Sequence, residues 1–138
     1  MSTRRADFRI ALAAILDDFR AANPSLIRQT YRARPASFHP PCAYVGVINE
    51  TISHQFGSQR TRIQTGSLVL IHGLYDNAET ADRQDVLADA LITYLTDQHA
   101  RVAGTTLLEA TSAEDVELVI KEVPYAATVV VVRHDVVE

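Results

Sequence analysis

Five carboxylates crowd one short stretch of the chain, Asp76, Glu79, Asp82, Asp85 and Asp89. Side chains at that density can hold a divalent cation or act as an acid–base pair in hydrolysis. The spacing points elsewhere. A calcium loop draws ligands from alternate residues of a non-helical turn and needs a glycine at its bend, and this stretch has neither feature. Steps of three and four residues are helical, and carboxylates in the first turns of a helix are favoured by its dipole alone. Histidines stand at 39, 54, 72, 99 and 134, with no pair at the spacing of a helical zinc motif. Cys42, the single cysteine, cannot complete a thiolate site. Cys42 with His39 resembles a nucleophile and its base, but Pro40 and Pro41 hold the intervening chain extended and no third orienting group is evident. Gly46 sits in a strand pattern and marks a bulge or a close backbone contact, because no glycine-rich loop precedes a helix. The chemistry-bearing residues thus predict no catalytic group, no cofactor and no metal.

The elements that position these residues follow from hydrophobic spacing. Phe8, Leu12, Ile15 and Phe19 recur at four, three and four residues, the stripe of a half-buried helix from about Arg4 to Ala21. Ser2 or Thr3 can cap its start, and Asn23-Pro24 ends it. Leu26 to Tyr31 reads as a short strand or an extended entry. Prolines at 35, 40 and 41 make Arg34–Pro41 a stiff loop carrying Phe38. Ala43–Ser53 and Arg60–Gly73 read as the arms of an antiparallel hairpin. Arg60, Arg62 and Gln64 give the second arm one wet face, and Leu68–Ile71 is apolar on both. A second helix is predicted over Asn77–His99, buried along Leu87, Ala90, Leu91, Tyr94 and Leu95, with Asp82, Asp89 and Thr93 on the far side. Asp76 caps it, Glu79 reaches back, and Glu79 pairs with Arg83. Gly104 breaks the chain. A half-exposed strand over Val116–Lys121, a turn at Val123-Pro124, and a strand over Ala127–Val132 buried on both faces complete it. The reading is one α+β domain over 1–138, a mostly antiparallel sheet of four to five strands with two helices on one face.

The 138 residues suffice for one domain with a real core. Hydrophobic residues make up 47% and no apolar run reaches the ~20 residues of a membrane span, so no membrane partner or secretory signal is predicted. A lone cysteine fits synthesis in a reducing cytoplasm. Net charge is −4 with Lys121 the only lysine, the wrong composition for gripping phosphate. The arginines fall mainly before Arg62 and the second helix is acidic. One small domain with a basic and an acidic face suits head-to-tail contact between copies.

Five segments carry a resemblance. Arg34-Pro35-Ala36-Ser37-Phe38, Pro41-Cys42-Ala43-Tyr44-Val45-Gly46, Arg60-Thr61-Arg62, Tyr75-Asp76-Asn77-Ala78-Glu79 and Ala81-Asp82-Arg83-Gln84-Asp85 resemble, in that order, tail terminator proteins of non-contractile long-tailed bacteriophages, above all those of actinobacterial phages. The resemblance implies a small α+β subunit of a hexameric ring at the head–tail junction of the virion. The ring caps the tail tube, stops its polymerisation and offers its other face to a head-completion or stopper protein. The major tail tube protein is its partner on one side, and genomic DNA crosses the lumen without specific binding. No catalytic residue or cofactor belongs to that role. The alternative within the same resemblance is another neck protein, a head-completion, stopper or connector subunit. Outside it stand a small hydrolase using the acidic cluster and a small-ligand-binding domain. The interface residues expected on this reading are Arg34, Phe38, Arg60, Arg62, Asp76, Glu79, Asp82 and Asp85, with the acidic side of the second helix turned to the lumen or to an arginine-bearing neighbour.

Overall fold

A computed structural model describes residues 4–37, 39–54, 60–75, 78–97, 101–102 and 106–137. The order is α1 (Arg4–Ala22), β1 (Gln29–Tyr31), β2 (Cys42–His54), β3 (Arg60–Leu74), α2 (Ala78–Asp97), β4 (Arg101–Val102), β5 (Thr106–Leu107), β6 (Glu109–Ile120) and β7 (Val123–Val137). Five strands form one sheet in the order β1-β2-β3-β7-β6, with β4 and β5 a separate two-stranded ladder. Only β1 and β2 run parallel; the other three pairs are antiparallel. Both helices pack on one face, α1 over β1, β2 and β3 and α2 over β3, β7 and β6. The fold is α+β, as the hydrophobic pattern requires.

The main core lies between helices and sheet. Phe8, Leu12, Ile15, Leu16 and Phe19 from α1 and Leu87, Leu91 and Leu95 from α2 bury against Ala43, Val45, Leu68, Leu70, Val130 and Val132. Each fully buried large side chain stabilises the fold by about 1.5–3 kcal/mol relative to exposure. The two helices meet where Phe19 sets its ring edge on to Tyr94 at 5.5 Å. Helix α1 comes close enough to the sheet to need Gly66: a Cβ there would stand 2.6 Å from Leu12 Cδ1. On the other sheet face Cys42, Tyr44, Val69, Ile71 and Ala127 form a second, smaller cluster. The apolar run Leu68–Ile71 is therefore covered on both faces, as its composition predicts.

Five expectations change. Residues 24–26 form a turn, closed by Leu26 N–H donating to Asn23 O at 3.1 Å, so the first strand starts only at Gln29. The β6–β7 turn is not at Val123-Pro124, which opens β7; it is Lys121-Glu122, both in the left-handed region with φ of 50° and 68°. The valine run is fully buried only at Val130 and Val132; Val129 and Val131 are half-exposed on the other face. The Arg62/Gln64 side of β3 is not a wet face. It continues the helix side, where Gln64 is buried and Arg62 pairs with Glu50 of β2. Strand β6 also begins seven residues earlier than the β-branched run predicts, because Ala110 and Ala113 add to its pairing with β7.

Candidate functional site

The expected interface residues separate. Arg34 is exposed on the loop after β1, and its charge reaches Tyr44 on the outer sheet face, opposing the rise that burial gives the Tyr44 hydroxyl. Glu79, Asp82 and Asp85 are exposed on α2. Glu79 makes its helical pair with Arg83 at 3.5 Å. Arg62 belongs to a different place, half-buried at the far end of the β2–β3 hairpin. Phe38, Asp76 and the side chain of Arg60 lie outside the described residues, and with Asp76 the capping arrangement at the start of α2. The structure thus brings Asp82 and Asp85 together and leaves Arg34 and Arg62 on other parts of the surface.

Asp82 borders a groove of about 900 Å³ between the end of α1, the turn at 24–28 and the first half of α2. Arg20, Arg28 and Arg83 share its rim with Asp17 and Asp82, and Leu26, Ile27 and Leu87 lie beneath. The groove thus sets charges of both signs over an apolar floor. Among the described residues no three His, Cys, Asp or Glu side chains converge on a point where a metal could sit. Cys42 is fully buried and burial pushes its thiol up to about 11, so no thiolate is available for nucleophilic attack near neutral pH. His54 and His72 stand at opposite ends of the hairpin ladder, where His54 pairs with Arg60 and Cys42 with Ile71.

Two polar networks pass beneath the helices. His72 Nε2–H donates to Thr128 Oγ1 at 2.8 Å, and that hydroxyl donates to Asp115 Oδ1 at 2.7 Å. The direction is forced, because Asp115 can only accept as a carboxylate. His72 Nδ1 is left a buried acceptor without a hydrogen bond among the described residues. Burial lowers the His72 pKa to about 4, against the opposing charges of Asp115 and Asp85. The second network supports the far end of the hairpin. His134 stacks on Phe8 with centroids 5.7 Å apart and donates through Nδ1 to Gln64 Oε1 at 3.1 Å. Gln64 Nε2 donates to Glu50 at 3.3 Å, and Arg62 binds the same carboxylate.

Sequence reading missed the arginines that fasten α1. Arg9 donates to Val45 O and Gly46 O, both at 3.0 Å, and Arg5 to Ile48 O at 2.8 Å. These carbonyls lie at the β2 bulge between Val45 and Ile48, where Ser67 Oγ also accepts from Val47 N–H at 3.0 Å. The bulge expected from Gly46 is present; its partners, 36 to 43 residues away in sequence, leave no local signal.

The sheet is also polarised from end to end. Residues 4–34 carry seven arginines against three acids, and α2 with β6 carries nine acids against one arginine, Arg83. The topology puts the first group at the β1 end and the second at the β6 end. Strand β6 itself holds Glu109, Glu114, Asp115 and Glu117, all exposed, and no cation. Strand β1 is flanked by exposed Arg28 and Arg32, with Arg34 beyond. The three acids of Glu114-Asp115-Val116-Glu117 were the available signal for an acidic edge. No model of a known protein family matches this chain, and no curated protein matches it.

Proposed function

We propose that this protein is a phage tail terminator: a ring-forming subunit that occupies the growing end of a tail tube with a surface recruiting no further tube protein. One observation supports the assembly role above all. The sheet ends in two open strands of opposite charge, β1 among arginines and β6 among carboxylates. A subunit with unlike, complementary ends joins its copies head to tail, and head-to-tail contacts close into rings when the rotation per subunit permits. The ordered resemblance of five segments supplies the identity of the ring, with its tube-protein partner on one side and a neck protein on the other. The exposed carboxylates of α2, Asp82 and Asp85, suit a wall along which DNA slides without being held, since a basic lining would bind phosphate.

The mechanism is steric and interfacial. The test is an amber stop in this gene within the phage that carries it, viewed by negative-stain electron microscopy of the lysate. The expected result is filled heads without tails beside tails of abnormal length. Tails of normal length beside heads that leak DNA overturn the reading and assign the chain to a stopper role. Charge reversal of both Asp82 and Asp85 is expected to lower virion yield, and a normal yield counts against a lumenal or intersubunit position for α2.

A further inference from the structure

The five-stranded sheet is level across its width. Three rows run through every strand: Gln29-Cys42-Ile71-Ala127-Val116, Thr30-Ala43-Leu70-Thr128-Asp115 and Tyr31-Tyr44-Val69-Val129-Glu114. The acidic centre of β6 and the three residues of β1 are therefore opposite ends of the same rows, about 19 Å apart at four strand spacings. The middle row faces the helices: Ala43 and Leu70 belong to the main core, and Thr30 Oγ1 donates to Asp17 of α1. One parallel and three antiparallel steps leave β6 running opposite to β1.

Neither edge suits a copy of itself. Two β6 strands paired about a two-fold axis would set Glu114, Asp115 and Glu117 among their own kind, and like charges directly opposite are destabilising. Two β1 edges would confront Arg28, Arg32 and Arg34 in the same way. The acidic edge thus rejects isologous pairing and admits a basic one, the manner in which charged edges select a partner.

We propose, resting on the assembly reading above, that β6 of one molecule pairs antiparallel with β1 of a second copy in the register that continues the rows. Asp115 then stands opposite Thr30 of the second copy, Glu114 opposite Tyr31 and Glu117 opposite Arg28. The helix faces of the two sheets remain on one side, since a one-residue slip would invert every side chain. Carried two residues further, the register brings Val119, 58% exposed, towards Leu26 at the floor of the groove beside Arg28. The contact is heterologous, with no two-fold, and propagates a single continuous sheet around the assembly.

Purified protein tests this without phage or tube. Two variants are made, Glu114→Arg/Glu117→Arg and Arg28→Glu/Arg32→Glu, each checked for wild-type circular dichroism and melting. Native mass spectrometry and light scattering then follow mass against concentration. The wild type is expected to self-associate, and each variant alone to do so about a hundredfold or more weakly, since each now presents like charges at both ends. An equal mixture is expected to recover assembly, with the two variants present in equal numbers. A wild type monomeric at every concentration, a variant that assembles like the wild type, or a mixture that stays monomeric overturns the proposal. Because no tail enters the assay, its failure leaves the terminator reading to the lysate test, and abnormal tails in the lysate do not rescue this contact.

Discussion

His72 makes the fold acid-labile by an amount that can be worked out. Its ring is buried, its Nε2–H is committed to Thr128, and among the described residues no hydrogen-bonding group meets Nδ1. Asp115 binds the Thr128 hydroxyl that accepts from the ring, and the charges of Asp115 and Asp85 offset the loss of water only in part. The folded state takes up the proton near pH 4, whereas an unfolded histidine does so near 6.5. Between these values the unfolded chain binds more protons, so stability falls as pH falls from 6.5 and the loss levels off below 4. At pH 4.5 the linkage is on the order of 2–3 kcal/mol, nearly all of it absent at pH 7. Urea denaturation followed by circular dichroism at pH 7 and 4.5 gives the quantity directly. His72→Gln keeps a donor for Thr128 and removes the titration, so its stability should change less between the two pH values by that amount. Parallel losses in wild type and variant would refute the assignment of acid lability to His72.

Replacing Lys121-Glu122 by Asn-Gly should raise stability by about 1–2 kcal/mol, measured by urea denaturation, because both residues now hold positive φ. Arg9→Ala should cost about 1.5–3 kcal/mol by removing charge-assisted bonds to Val45 O and Gly46 O, whereas Glu79→Ala should stay within about 0.5 kcal/mol. Leu12→Ala, at the fully buried contact of α1 with Gly66, should cost about 2–5 kcal/mol in the same assay. Cys42 should remain unmodified by a thiol reagent at pH 8 until denaturant unfolds the chain, as mass spectrometry would read.

Local patterns were the legible part of this chain. The stripe Phe8, Leu12, Ile15 and Phe19 could only be one face of a helix, and all four are buried. The hairpin arms followed from the two apolar, β-branched runs Ala43–Ser53 and Arg60–Gly73. The β6–β7 turn was not legible, because Lys and Glu carry no left-handed preference while Pro124 drew attention two residues away. The polar arm Arg62–Gln64 misled for a different reason. Its partners, Glu50 and His134, come from other strands, and a pattern of polar residues cannot distinguish water from a buried network. At the candidate interface the charge asymmetry was visible, but its arrangement was not. Only the register across five strands places Glu114–Val116 level with Gln29–Tyr31.

The guanidinium clasp at the β2 bulge bears on how this protein can diverge. Arg5 and Arg9 hold main-chain oxygens, which every residue type supplies, so the anchorage of the first helix is indifferent to what the outward-facing Val47 becomes. Related chains can then redecorate that border to suit new neighbours while the helix keeps its seat. Drift of this kind erases recognisable likeness at the surface long before it disturbs the scaffold.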